Sequence, residues 1–224
     1  MTAQLVIFDC DGVLVDSETI ACRVDAQYLT EIGFPTTEQE ALHRYLGRSV
    51  AFMRSDLETR FGRPLPDDFS ATMHERTVLA FSSELKSVEG IAQVVAQVPC
   101  KICVASSSTP ERIERALRIT GLWERFHPHI FSATQVKRGK PAPDLFLFAA
   151  EQMSIAPSEC VVIEDSPAGI EAARAAKMRV IGFTGGSHCG PGHAMALRMA
   201  GATETAPTAN DLAKLLNAAK GGRA

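Results

Sequence analysis

The chain predicts a parallel α/β sheet with a helical segment inserted after the first strand, and three observations carry that prediction. Short apolar runs at residues 5–8, 101–105, 160–163 and 179–183 alternate with stretches of helical spacing. Strands that alternate with helices argue a parallel sheet covered on both faces. Residues from about 16 to 84 contain helical patterns and no strand signal, so they interrupt that alternation. Finally, polar residues gather where the apolar runs end: Asp9 and Asp11, Ser106 and Ser107, Glu164 and Asp165. In open α/β sheets ligands bind at the carboxyl ends of the strands.

Composition narrows the function classes. The chain has 224 residues, 46% of them apolar, which is enough for a sizeable core and a smaller insert. A formal charge of −3 without a long basic run argues against nucleic acid as a partner. No signal-peptide pattern and no apolar stretch of spanning length is present, so the expectation is a cytoplasmic protein that does not engage membranes. Its six cysteines are then expected to be reduced. Cys100 and Cys103 are spaced C-x-x-C, but Cys103 lies inside a strand pattern and no second pair completes a zinc site.

Each element has its own signal. The first strand, 5–8, is short, β-branched and aromatic, and Gly12 lets the chain turn just after Asp9 and Asp11. Ile20, Val24, Tyr28 and Ile32 recur every four residues, so 18–32 reads as a helix ended by Gly33 and Pro35. A short helix from Thr36–Glu38 to Tyr45 follows. Gly47, Arg48 and Ser49 break the pattern, and Ser49 is placed to cap a helix that reaches about Phe61. Residues 62–66 form a loop, and 67–81 another helix. Beyond residue 88, helices are expected at 91–98, 110–120, 145–153, 166–176 and 210–219, with Pro110 at a first helical position. A short strand is expected at 129–132, and 179–183 is read as the last strand. Residues 220–224 are expected to fray.

Asp9 and Asp11 sit close enough that both ionise only beside a cation, and Mg2+ suits carboxylate and phosphate oxygens. Glu164 and Asp165 supply two more carboxylates, Lys140 a fixed positive charge, and Ser106 and Ser107 hydroxyl donors. Together these are the parts that phosphoryl transfer requires. The Gly-rich stretch 182–192 lacks the G-x-G-x-x-G that opens a dinucleotide-binding helix. His188, Cys189 and His193 within it are read as loop residues, one ligand short of a zinc site.

Four motifs, DCDGV at 9–13, VASSS at 104–108, RGKPAPD at 138–144 and VVIEDSPAGIEAA at 161–173, resemble those of the haloacid dehalogenase superfamily in kind and in order. The resemblance covers the whole chain. It implies a Rossmann-like three-layer core at 1–15 and 85–224, with a helical cap domain at 16–84 that closes over the site. It implies Asp9 as nucleophile and Asp11 as general acid and base. Ser106 and Lys140 would contact the phosphoryl group. Asp9, Asp11, Glu164 and Asp165 would hold Mg2+. Glu18, Gly47 and Arg48 are the candidate substrate contacts of the cap, beside Ser106, Ser107 and Lys140. The implied partner is a small phosphorylated metabolite, acted on by a monomer or weak homo-oligomer.

Two positions refine this expectation. The dehalogenase branch lacks a second acid, so Asp11 points to phosphate esters. The branch similar to β-phosphoglucomutase carries a His where this chain has Ala21. DCDGVLVDSE more closely resembles the sugar-phosphate phosphatases, including 6-phosphogluconate phosphatase. Hydrolysis of a sugar phosphate or phosphorylated sugar acid is therefore the leading expectation, and a phosphoglucomutase-like transfer the alternative.

Overall fold

Strand β1 (Leu5–Phe8) is buried along its whole length and lies inside a six-stranded sheet. The computed structural model describes residues 3–48 and 50–218. β2 (Lys101–Ser106) and β4 (Cys160–Glu164) flank β1 in parallel, pairing Phe8 with Val104 and with Ile163. β3 (Ile130–Ser132) adds to β2, and β5 (Arg179–Phe183) to β4. A sixth strand, β6 (Glu204–Ala206), pairs in parallel with β5, so the order is β3-β2-β1-β4-β5-β6. This corrects the expectation that residues 179–183 form the last strand. Glu-Thr-Ala is too short and too polar to register as an apolar run; its place comes from the neighbouring β5 edge.

Because every strand runs the same way, the segments that follow β1, β2 and β4 emerge at one edge of the sheet. The intervening helices cover its faces. α5 (Ile91–Gln97), α6 (Pro110–Ile119), α7 (Trp123–Phe126) and α8 (Asp144–Gln152) precede β4. α9 (Pro167–Ala175), α10 (His193–Ala200) and α11 (Ala209–Ala218) follow it. Leu5, Ile7, Cys103 and Val162 pack with Phe146 and Ile170 in one buried cluster. Phe8 meets Phe126 edge-on, with ring centroids 5.8 Å apart. Two of these helices had no sequence signal: α7 is a single turn, and α10 begins directly after a glycine-rich loop.

The chain divides into two compact units, one of residues 1–16 and 86–224 and the other of 17–85. The second unit is wholly helical: α1 (Glu18–Glu31), α2 (Glu38–Tyr45), α3 (Val50–Phe61) and α4 (Phe69–Glu84). α4 starts two residues later than the pattern suggested and runs three further, because the Phe69 amide first donates to the Pro66 carbonyl in a turn. Thr37 caps α2 in a reciprocal box with Glu40. The cap expected from Ser49, and the frayed end at 220–224, lie outside the described residues. This unit has its own core around Tyr28, Leu29, Phe34, Leu57 and Phe69, with Tyr28 and Phe69 stacked at 5.8 Å. The chain leaves the sheet unit after Asp16 and returns at Lys86, and the Asp16 amide donates to the Lys86 carbonyl at 2.9 Å. Among the described residues no helix is long and apolar enough to cross a membrane.

Candidate active site

Asp9 follows β1 directly, and its amide still donates to the Ile163 carbonyl of β4, which fixes where the side chain starts. Lys140, from the loop before α8, reaches between two carboxylates. Its ammonium donates to Asp9 Oδ1 at 2.6 Å, to Glu164 Oε1 at 2.6 Å and to the Ala105 carbonyl at 3.1 Å. The Lys140 side chain is only 5% exposed and that of Glu164 only 1%. Glu164 spends its other oxygen on the Ser166 amide and hydroxyl, both at 2.9 Å. Gly169 makes this possible, since a Cβ there would collide with the Glu164 carboxylate. No hydrogen bond from the described residues takes Oδ2 of Asp9.

Burial alone would push the Lys140 ammonium to a lower pKa; the charges of Asp9 and Glu164 outweigh it and hold it above the ordinary lysine value. Asp9 and Asp165 move the other way. Burial holds both carboxyls well above the usual range. Lys140 draws both back down, while Glu164 pushes both further up. Four carboxylates thus meet two permanent cations, Lys140 and Arg112. That excess of negative charge, in a set of hard oxygen donors, fits a divalent cation such as Mg2+.

Asp11 has partners of its own. Gly12, at φ +79°, turns the chain, and the Gly12 amide donates to the Val15 carbonyl at 2.8 Å. The Asp11 carboxylate accepts from Ser108 Oγ at 2.7 Å and from Arg112 Nη2 at 3.2 Å. Ser108 is held in turn, through its carbonyl, by Ser132 Oγ at 2.7 Å. Buried Ser106 accepts from the Ser108 amide at 3.1 Å, whereas Ser107 is exposed.

The structure therefore brings Asp9, Lys140, Glu164, Asp165, Asp11 and Ser106 to one edge of the sheet. Glu18 opens α1, and Gly47 and Arg48 lie in the turn after α2; all three belong to the helical unit. The Arg48 guanidinium stacks over the Phe52 ring at 5.1 Å. Ser108 and Arg112 are partners of Asp11 that sequence reasoning passed over. Arg112 did carry a signal: a cation in the first turn of α6 opposes the helix dipole, which asks for a specific anionic partner.

A haloacid dehalogenase-like hydrolase family model matches residues 3–177. The chain belongs to that family. A 6-phosphogluconate phosphatase of Escherichia coli strain K12 is 28% identical over 189 residues, covering 84% of this chain and 86% of that protein. A phosphorylated carbohydrates phosphatase of Thermotoga maritima is 32% identical over 182 residues, covering 77% and 81%. Among solved structures, a haloacid dehalogenase family hydrolase from Deinococcus radiodurans R1, with bound phosphate and sodium, matches at a TM-score of 0.82. It is 32% identical, with 97% of this chain and 96% of that one covered.

In this hydrolase the carboxylate set also has a rear support. His188 Nε2 lies 3.0 Å from Asp165 Oδ2, and its side chain is 1% exposed. His193 Nε2 donates to the Asp165 carbonyl at 2.6 Å. The loop residues 188, 189 and 193 are thus gathered behind Asp165. No sequence spacing pointed there, because the partner lies more than twenty residues away, just past the end of β4. All six cysteines are free thiols.

Proposed function

We propose that this hydrolase cleaves the phosphate ester of a small sugar phosphate or phosphorylated sugar acid, dependent on Mg2+ and through an aspartyl-phosphate at Asp9. The observation that carries this reading is Lys140 bridging Asp9 and Glu164, with Oδ2 of Asp9 left out of every hydrogen bond among the described residues. Its lone pairs are available to attack phosphorus. The names of the phosphatases to which the chain is similar support the substrate class.

In this reading Asp9 attacks phosphorus, the bond to the sugar oxygen breaks, and Asp11 gives that oxygen its proton. Asp11, now ionised, takes a proton from water, which attacks the acyl-phosphate, frees inorganic phosphate and restores Asp9. The Asp11 carboxylate must first leave Ser108 and Arg112, a side-chain rotation within one residue. Lys140 offsets charge on Asp9 and on the phosphoryl oxygens, and Ser106 donates to the phosphoryl group. Asp9, the Asp11 carbonyl, Glu164 and Asp165 would hold Mg2+, which when bound adds positive charge against the phosphoryl oxygens. Selection among esters falls to Glu18, Gly47 and Arg48 of the helical unit, acting as a cap, and to Ser107. The free thiols suit a reducing cytoplasm.

The test is phosphate release across a panel of sugar phosphates and phosphorylated sugar acids, with Mg2+ and with excess chelator. Release from at least one class with Mg2+, lost with chelator, is expected. Full activity in chelator, or no release from any ester, overturns the reading.

A further inference from the structure

We propose that His188, Cys189 and His193 form a binding site for a zinc-class divalent ion, separate in chemistry from the carboxylate set. One ligand atom from each residue lies within 4.8 Å of the others. Cys189 Sγ is 4.0 Å from His188 Nδ1, the nitrogen turned away from Asp165. Bonds of about 2.0 Å to nitrogen and 2.3 Å to sulfur in a tetrahedron place two such ligands roughly 3.5 Å apart. The thiol and His188 Nδ1 must close by about 0.5 Å to reach that spacing.

Both imidazoles are oriented from behind, as metal-bound histidines are. His193 faces a carbonyl oxygen, which only accepts, so its Nε2 carries the hydrogen and its Nδ1 the lone pair. His188 faces the Asp165 carboxylate in the same manner. The two rings stand nearly perpendicular, at 89°, with centroids 5.4 Å apart. The surrounding backbone leaves the space that His188 needs. A Cβ at Gly186 would come within 2.8 Å of its ring, and one at Gly12 within 2.8 Å of its Cε1. The loop is anchored by the Ser187 amide and hydroxyl, which donate to Asp16 Oδ1 at 2.9 and 2.8 Å.

Thiolate and imidazole select zinc, copper or nickel over magnesium, whereas carboxylates favour magnesium. The chain therefore offers two sites of different preference, joined by Asp165. Binding takes the proton off the Cys189 thiol and releases it to solvent. An ion held on the Nδ1 atoms makes the N–H groups that face Asp165 stronger donors and competes with Mg2+ for that residue's oxygens, so occupancy opposes hydrolysis; this second consequence rests on the phosphatase reading.

Cobalt is the probe for the site itself, titrated into the full chain in saturating Mg2+. One equivalent should give a thiolate-to-cobalt charge-transfer band, lost in Cys189→Ser with an unchanged circular dichroism spectrum. Absence of the band in the wild type, or its survival in Cys189→Ser, overturns the site. Neither result depends on any activity. For the coupling, Zn2+ at fixed Mg2+ should inhibit the wild type at concentrations at least tenfold lower than it inhibits Cys189→Ser. Equal inhibition places zinc on the carboxylates alone and overturns the coupling.

Discussion

Each of the two units contains a charged cluster, and they are built on opposite terms. In the sheet unit Asp9, Lys140 and Glu164 meet at 2.6 Å with side chains no more than 10% exposed. In the helical unit Tyr45 donates to Asp56 at 2.7 Å, Arg60 donates to Tyr45 at 3.1 Å, and Arg44 reaches Asp56 at 3.4 Å. There the charged side chains keep between 22% and 42% of their surface in water. A solvated network of this kind costs little to form and contributes little. A buried one carries a desolvation penalty that its own attraction barely offsets. Stability gives no reason to bury the first set, so its burial points to a task.

The comparison breaks most visibly at Asp9. Asp9→Asn should lower phosphate release by on the order of 10⁴-fold or more while the fold persists. Near wild-type turnover in a folded, non-deamidated variant would show that Asp9 is not the nucleophile. Next comes a matched pair of charge removals, read by urea denaturation. Lys140→Met strands two buried carboxylates and should cost about 3–5 kcal/mol. Arg60→Met in the solvated cluster should cost about 0–1 kcal/mol. Equal costs would erase the distinction between the clusters.

Arg48→Ala and Glu18→Gln should change the ranking of substrates by about tenfold, the worth of one lost charge-assisted contact. A small generic ester such as p-nitrophenyl phosphate should change much less. A uniform drop across all substrates would remove these residues from substrate selection.

A smaller effect links metal to pH. Asp9 and Asp165 are held above the ordinary carboxyl range, chiefly by burial. Their contribution to stability is fully present below about pH 4 and is lost as pH rises through the raised values. Mg2+ should therefore raise the melting temperature more at pH 7.5 than at pH 5. A larger shift at the acid pH would contradict the assignment of these two groups. The smallest effect belongs to Tyr45, whose hydroxyl is pushed up to about 12 by burial and by its bond to Asp56. Tyr45→Phe should cost about 1 kcal/mol near pH 7. That cost should shrink above pH 10 as the wild type begins to lose the same contribution.

Much of this was legible in the amino-acid order, for a local reason. β1, β2 and β4 are short apolar runs, and the residue that ends a parallel strand must emerge at one edge, so Asp9, Ser106 and Glu164 could be placed together before any coordinates. Lys140 was legible through its Gly-Pro surroundings only once the motif resemblance was added. What stayed hidden was partnership across the fold. Nothing near Asp11 names Ser108 or Arg112, and nothing near Asp165 names His188, since those pairs form through sheet order. β6 stayed hidden for another reason: three residues, two of them polar, carry no periodicity. Ser107 is exposed and Ser106 buried, a difference that two adjacent serines in one run do not show.

The doorway between the units has a consequence for how such enzymes diversify. Entrance and exit of the 17–85 segment are neighbouring strands of backbone, tied by the Asp16–Lys86 bond and the antiparallel bridge of Val15 with Ser87. An insert whose two ends already touch adds almost no closure entropy to its host, whatever its length. Helical inserts of other sizes and surfaces could be grafted at the same doorway without rethreading a single strand. If the helical unit selects the ester as proposed, new substrate preferences would then be acquired by transplantation, with the chemistry at the sheet edge inherited intact.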